Sequence, residues 1–147
     1  MRMDPKDIKD HSKFYYYVSI NIPQVREMPF IINALKKFSG NSSEQKIKDA
    51  LLWNKGPMIK LVENLVCAGV RSYGCYAVKS DVIRVEKKTV ELFESGKDLR
   101  GTATGKLVYL VGVTLLHELC HWANDDTGKD DLTHQKFEQA LYGKVIV

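Results

Sequence analysis

The sequence predicts an α+β fold, mainly helical, with a small antiparallel sheet and one buried helix late in the chain. Three observations predict it. Residues 107–116 are almost unbrokenly apolar, which suits a helix buried on most sides. Three earlier segments carry apolar residues at helical spacing between clear start and stop signals. Two short β-branched runs, 70–78 and 82–85, flank a polar turn.

In chain order, residues 1–13 are polar and charged and read as a tail, leaving 14–147 as a single domain. Residues 14–22 are aromatic and β-branched and stop at Pro23, which suits a strand or a short buried segment. Pro29 stands where a helix begins, and Ile31, Leu35 and Phe38 fall near one face of it. Gly40-Asn41 closes that helix. Ser42 or Ser43 caps the next, over 44–54, which Lys55-Gly56 stops. Pro57 opens a third, with Met58, Ile59, Leu61, Val62, Leu65 and Val66 as a wide apolar face and Gly69 at its end. The two strands follow, with a turn at 79–81 and Gly74 marking a bulge. Residues 89–94 fit either element. Residues 95–105 contain three glycines and read as a loop. Gly105-Lys106 opens the buried helix, although β-branched content leaves a strand open for its first half, and 124–128 stops it. A last helix runs over 132–142, capped by Asp130 or Asp131.

The apolar run ends in His117-Glu118-Leu119-Cys120-His121, an H-E-x-x-H motif. Residues four apart share a helical face, so His117 and His121 can present two imidazoles to one metal ion. Glu118 sits close enough to reach a metal-activated water without being a ligand. That arrangement makes Zn2+ the expected cofactor and Glu118 the expected general base. A catalytic zinc site ordinarily has three protein ligands. The longer pattern H-E-x-x-H-x-x-G-x-x-H fails here, since Asn124 and Thr127 replace its glycine and last histidine. The third ligand must then come from the last helix. Glu138 is the first choice, from its second turn. His134, on the same face, is the alternative, with Glu138 orienting it as a supporting carboxylate. Asp131 also lies within reach. Asp125 and Asp126 read as turn formers rather than orienting groups. Tyr142, four residues after Glu138, is a candidate for stabilising a developing oxyanion, as is His134; packing is the commoner role for such a tyrosine.

Residues 115–122, Leu-Leu-His-Glu-Leu-Cys-His-Trp, then Gly128, then Phe137-Glu138 with Tyr142-Gly143, resemble the metallopeptidase toxin domains of bacterial polymorphic toxins and secreted effectors. Those domains show L-H-E-L-x-H-W, a short Asp/Gly-rich turn and a closing F-E-x-x-x-Y-G. Gly56-Pro57-x-Ile59 and residues 81–85 are similar to them as well. The resemblance implies a zincin-like fold, zinc, Glu118 as base and Glu138 as third ligand. It also implies a peptide or protein substrate and a cognate immunity protein. Where the family often has acidic residues and glycine just before F-E, this chain has Thr133-His134-Gln135, which keeps His134 open as a ligand. Residues 82–85 are the candidate edge strand for an extended substrate.

The remaining properties narrow the function classes. The chain has 147 residues, 44% hydrophobic and 27% charged, with a net charge of +4. The basic residues are scattered, which speaks against nucleic-acid binding. The start of the sequence has no apolar signal segment and no stretch is long enough to span a membrane. Export by a specialised secretion system or as part of a larger toxin is therefore expected, with the cytoplasm as the other location. Cys67 and Cys75 could pair in an oxidising space, and Cys120 reads as a core residue. Two rival functions stay open: a catalytically silent zincin-like binding module, and a zinc amidase or peptidase acting on cell-wall peptides.

Overall fold

In a computed structural model the protein is a mixed α/β molecule, described over residues 1–40, 43–125 and 131–147, with the side chains of 131–134 left out. The described chain begins with β1 (Arg2–Met3), α1 (Pro5–Asp10) and α2 (Ser12–Tyr16). Five π-helical residues, Tyr17–Asn21, and a 3₁₀ segment, Ile22–Glu27, lead into α3 (Pro29–Phe38). Then come α4 (Glu44–Leu51), β2 (Met58–Val62), β3 (Val66–Cys67), β4 (Val70–Arg71), β5 (Gly74–Tyr76) and β6 (Val82–Glu86). The chain ends with α5 (Lys87–Glu94), β7 (Leu99–Gly101), β8 (Leu107–Tyr109), α6 (Leu110–Asn124) and α7 (Asp131–Tyr142).

The main sheet has the order β1-β2-β6-β5. It is mixed rather than antiparallel: β1 and β6 both run parallel to β2, and only β5 pairs antiparallel, with β6. Residues 1–13 are therefore not a loose tail. Met1 and Met3 are buried, β1 closes one side of the sheet, and Asp4 caps α1 through the N–H of Lys6 (3.0 Å).

Two further segments settle for one reason. Residues 14–22, open between a strand and a short buried segment, form helical turns that bury Phe14, Val18 and Ile22. Residues 58–62 form β2 instead of a helix, in register with β6 from Met58↔Val82 to Val62↔Glu86. Both segments are rich in apolar residues whose spacing suits either element, and the available partner decides. Residues 89–94 resolve as helix, and part of 95–105 pairs as β7 with β8. The helix over Pro29–Phe38 lies where expected. Ser43 caps α4 by accepting from Lys46 N–H at 3.0 Å. Gly74 continues β5 in regular pairing opposite Val85.

The core lies between the sheet and the helices. Ile59, Ile83 and Val85 pack with Val111, Leu115 and Leu119 of α6, and with Ile32, Leu35 and Phe137 from α3 and α7. α6 thus touches β5 and β6 on one side and α3, α5 and α7 on others. It starts later than expected, because residues 107–109 pair as β8. Both of its ends are pinned. At the start, Asp98 accepts the N–H of Val111 through its side chain (2.9 Å) and that of Leu110 through its carbonyl (3.1 Å). At the finish, Lys46 donates to the Ala123 carbonyl (2.9 Å), Trp122 donates to Asp81 (2.8 Å), and Asp125 turns the chain at φ 48°.

Candidate active site

The local sequence explains why α6 carries reactive groups in the interior. Its residues 110–120 are apolar except Thr114, His117 and Glu118, so the helix is buried almost throughout. Thr114 satisfies its hydroxyl on the Leu110 carbonyl (2.9 Å). Glu118 and His121 are 7% and 6% exposed, and His117 opens to a small cavity. The imidazole centroids of His117 and His121 stand 5.3 Å apart. One donor atom from each of His117, Glu118 and His121 falls within 4.8 Å of the other two. Such a convergent nitrogen and oxygen set fits a divalent transition metal.

α7 brings Glu138 to the same place. Its Oε2 lies 2.5 Å from Nδ1 of His117, and its Oε1 accepts the main-chain N–H of Ile146 at 3.0 Å. Glu138 is buried, and Phe137 beside it anchors α7 in the core against Phe38. The structure thus gathers His117, Glu118, His121 and Glu138 about the junction of α6 and α7. His134 lies on the α7 backbone, but its side chain is outside the described part, as is that of Asp131; Asp126 lies outside the described residues. Tyr142 packs behind Leu110, Val113 and Ile146, which line the cavity, and does not line it itself. Burial raises its hydroxyl pKa strongly. Asp125 accepts from the Tyr76 hydroxyl (2.5 Å) and the Lys79 N–H (2.8 Å), which is a turn-fixing role. Cys120 is a free, buried cysteine whose pKa burial pushes up, in keeping with a core role.

Glu118 is the most perturbed carboxyl of the site. Burial pushes its pKa up to about 7; His117 pulls it down in part and Glu138 pushes it further up. The carboxyl sits against β5. A Cβ on Gly74 would come within 2.7 Å of Thr114 Cγ2 and 2.8 Å of Glu118 Cγ, so only glycine lets this strand approach the helix so closely. Ser72, Tyr73 and Gly74 form one wall of the cavity, with Leu110, Val113, Thr114 and Ile146 completing it around the charged groups.

β5 is also an end strand of the sheet, whereas residues 82–85, expected at the edge, lie in β6 between β2 and β5. Sequence reading missed β5 as the cleft wall, and missed Ile146. The one local signal was Gly74 itself, a glycine inside a strand, which often marks close approach of another group. Cys67 and Cys75 form a disulfide with a Cα–Cα separation of 5.7 Å, tying β5 to β3. Glu86 braces the same corner by accepting the N–H groups of Asn64 (3.2 Å) and Leu65 (2.6 Å).

Comparison with known proteins gives one match of wide coverage. A family model described as metallopeptidase toxin 3 matches residues 7–143. No curated protein and no solved structure matches the chain. Among the described residues, no helix is long and apolar enough to cross a membrane.

Proposed function

Since the chain belongs to the metallopeptidase toxin 3 family, we propose that it is a zinc-dependent peptidase of zincin-like fold whose active site is His117, Glu118, His121 and Glu138. The observation that carries this reading is the arrival of Glu138 from α7 beside His117 of the H-E-x-x-H pair, 2.5 Å from its ring. A two-histidine half-site thereby has a further carboxylate from a second helix beside it, within reach of the metal position. His117 and His121 hold the zinc, with Glu138 as third ligand. His134 is the alternative ligand, and the Glu138 contact with Nδ1 of His117 suits a carboxylate that orients the ring.

Bound there, zinc supplies a Lewis acid for the scissile carbonyl and the attacking water. Glu118 takes the proton of that water on its carboxylate and delivers it to the leaving amine. The free edge of β5 receives the peptide main chain, and its closeness to Glu118 through Gly74 sets the carbonyl beside the base. Oxyanion stabilisation falls to His134 or to a donor on the 72–74 wall; Tyr142 does not line the cavity. Export to a target cell, and a cognate immunity protein that blocks the site in the producer, belong to the same reading.

Glu118→Ala should keep its fold and a full complement of zinc by mass spectrometry, and lose hydrolysis of a casein or mixed peptide substrate by about 100-fold or more. Unchanged hydrolysis would remove Glu118 as the base. Protein purified without zinc would favour a silent binding module, and release of cell-wall fragments without proteolysis would favour an amidase.

A further inference from the structure

Beyond α7 the chain reverses. Gly143 adopts φ 76° and donates its N–H to the Gln139 carbonyl at 2.9 Å. The Ala103 N–H holds the Tyr142 carbonyl at 2.9 Å, and a Cβ on Gly143 would stand 2.5 Å from that of Ala103. The reversal is therefore seated on the turn between β7 and β8, and it sends the following residues back across α6.

Segment 144–147 does not lie idle on the surface. Lys144 and Val147 are exposed, Val145 is half-buried, and Ile146 is 4% exposed. The Ile146 side chain packs on Leu110 and Val113, with Val108 and Tyr142 behind it. Leu110, Val113 and His117 stand at i, i+3 and i+7, so they form one stripe of α6 leading to the reactive groups. Ile146 covers the apolar part of that stripe. Its N–H engages Glu138 Oε1 at 3.0 Å, so the segment also contacts the site's carboxylate directly. The space left beside His117 and Glu118 is about 100 Å³, short of the roughly 300 Å³ at which small-molecule pockets begin. Among the described contacts, the Ile146 side chain and its main-chain N–H hold the segment, against the entropy of ordering it.

We propose that segment 144–147 occupies the substrate groove of its own active site as a displaceable plug, and that the subsite filled by Ile146 takes a branched aliphatic residue of a peptide substrate. This rests on the peptidase reading given above. A peptide whose aliphatic side chain enters between Leu110 and Val113 displaces Ile146 and frees Glu138 Oε1 in the same movement. The segment acts by occupancy.

The test uses the full chain loaded with zinc. Ile146→Asp places a carboxylate among apolar groups and beside Glu138, which expels the segment; Ile146→Ala removes the anchor with less risk to folding, and thermal melts verify both. The readout independent of turnover is the binding of a labelled Lys-Val-Ile-Val peptide, followed by fluorescence anisotropy in the Glu118→Ala background. Removing a plug that closes the groove nine-tenths of the time tightens that binding about tenfold. In the Glu118-intact protein, kcat/KM for substrates with Ile, Leu or Val at the matching position should rise by a similar factor, mainly through KM. Equal peptide binding with and without Ile146, or a fall in kcat/KM at full zinc content, would overturn the plug and make the segment a permanent wall. Failure of the peptidase reading would show instead as absent hydrolysis in every variant while the binding difference persists.

Discussion

Glu118 is the group whose surroundings decide what this site can do. A carboxyl on the outside of a helix would ionise at its ordinary value and lose its proton long before neutrality. Here burial in the α6–β5 contact lifts the pKa from 4.5 to about 7. The consequence for stability has a definite sign. The unfolded chain releases this proton at lower pH than the folded one, so the metal-free protein has the group's full contribution below about pH 4.5. It loses that contribution as pH rises through about 7. Chelator-treated protein should therefore be more stable in denaturant at pH 5 than at pH 8, by at most about 3 kcal/mol from this residue. Glu118→Gln should flatten that part of the profile; a variant with the wild-type slope would show that the burial does not act on Glu118. The identities of His117, Glu118 and His121 were legible in the sequence because their spacing is local to one helix. The partner of His117 was legible only as a choice among acidic and histidine residues of α7, since the contact spans 21 positions.

At the level of elements, the contact between β5 and α6 builds the cleft. The strand can lie against Thr114 and Glu118 only because residue 74 has no side chain. Gly74→Ala would press a methyl into two side chains rooted on a buried helix, an overpacking that costs about 1–3 kcal/mol. The expected outcome is a lower unfolding midpoint and weaker hydrolysis, with zinc content intact because the methyl's nearest neighbours belong to Thr114 and Glu118, not to His117 or His121. Wild-type activity and midpoint in this variant would mean that the strand moves freely and does not set the position of Glu118. Helices with strong local signals, such as Pro29–Phe38 and the Ser43-capped α4, were readable in advance. The strand β2 was not. Met58, Ile59, Leu61 and Val62 suit a helix face as well as a buried strand, and β6 and β1 on either side of it settle the matter. The same ambiguity left residues 14–22 open between a strand and a short buried segment, and they form buried helical turns.

For the molecule as a whole, the site is a joint between α6 and α7. On the proposed reading, a metal held by both helices binds only the folded chain and stabilises it by mass action. At a free zinc concentration one hundred times the dissociation constant the gain is about 2.7 kcal/mol. Zinc added to chelator-treated protein should raise the melting temperature by several degrees, roughly 2–4 °C per kcal/mol at this size. His121→Ala should abolish the rise. An equal shift in that variant would place the metal elsewhere.

By itself the sequence determined the helix that carries H-E-x-x-H, its two histidines and glutamate, and the kinship with metallopeptidase toxins, because each of these is written within a few helical turns. Only the tertiary structure decided that the sheet is mixed, that β5 and not residues 82–85 stands at the edge, and that Ile146 lies over the stripe leading to His117. These depend on which distant segments compete to cover the same apolar surface and satisfy the same buried polar groups. That competition is settled by packing in three dimensions and leaves no periodic trace along the chain.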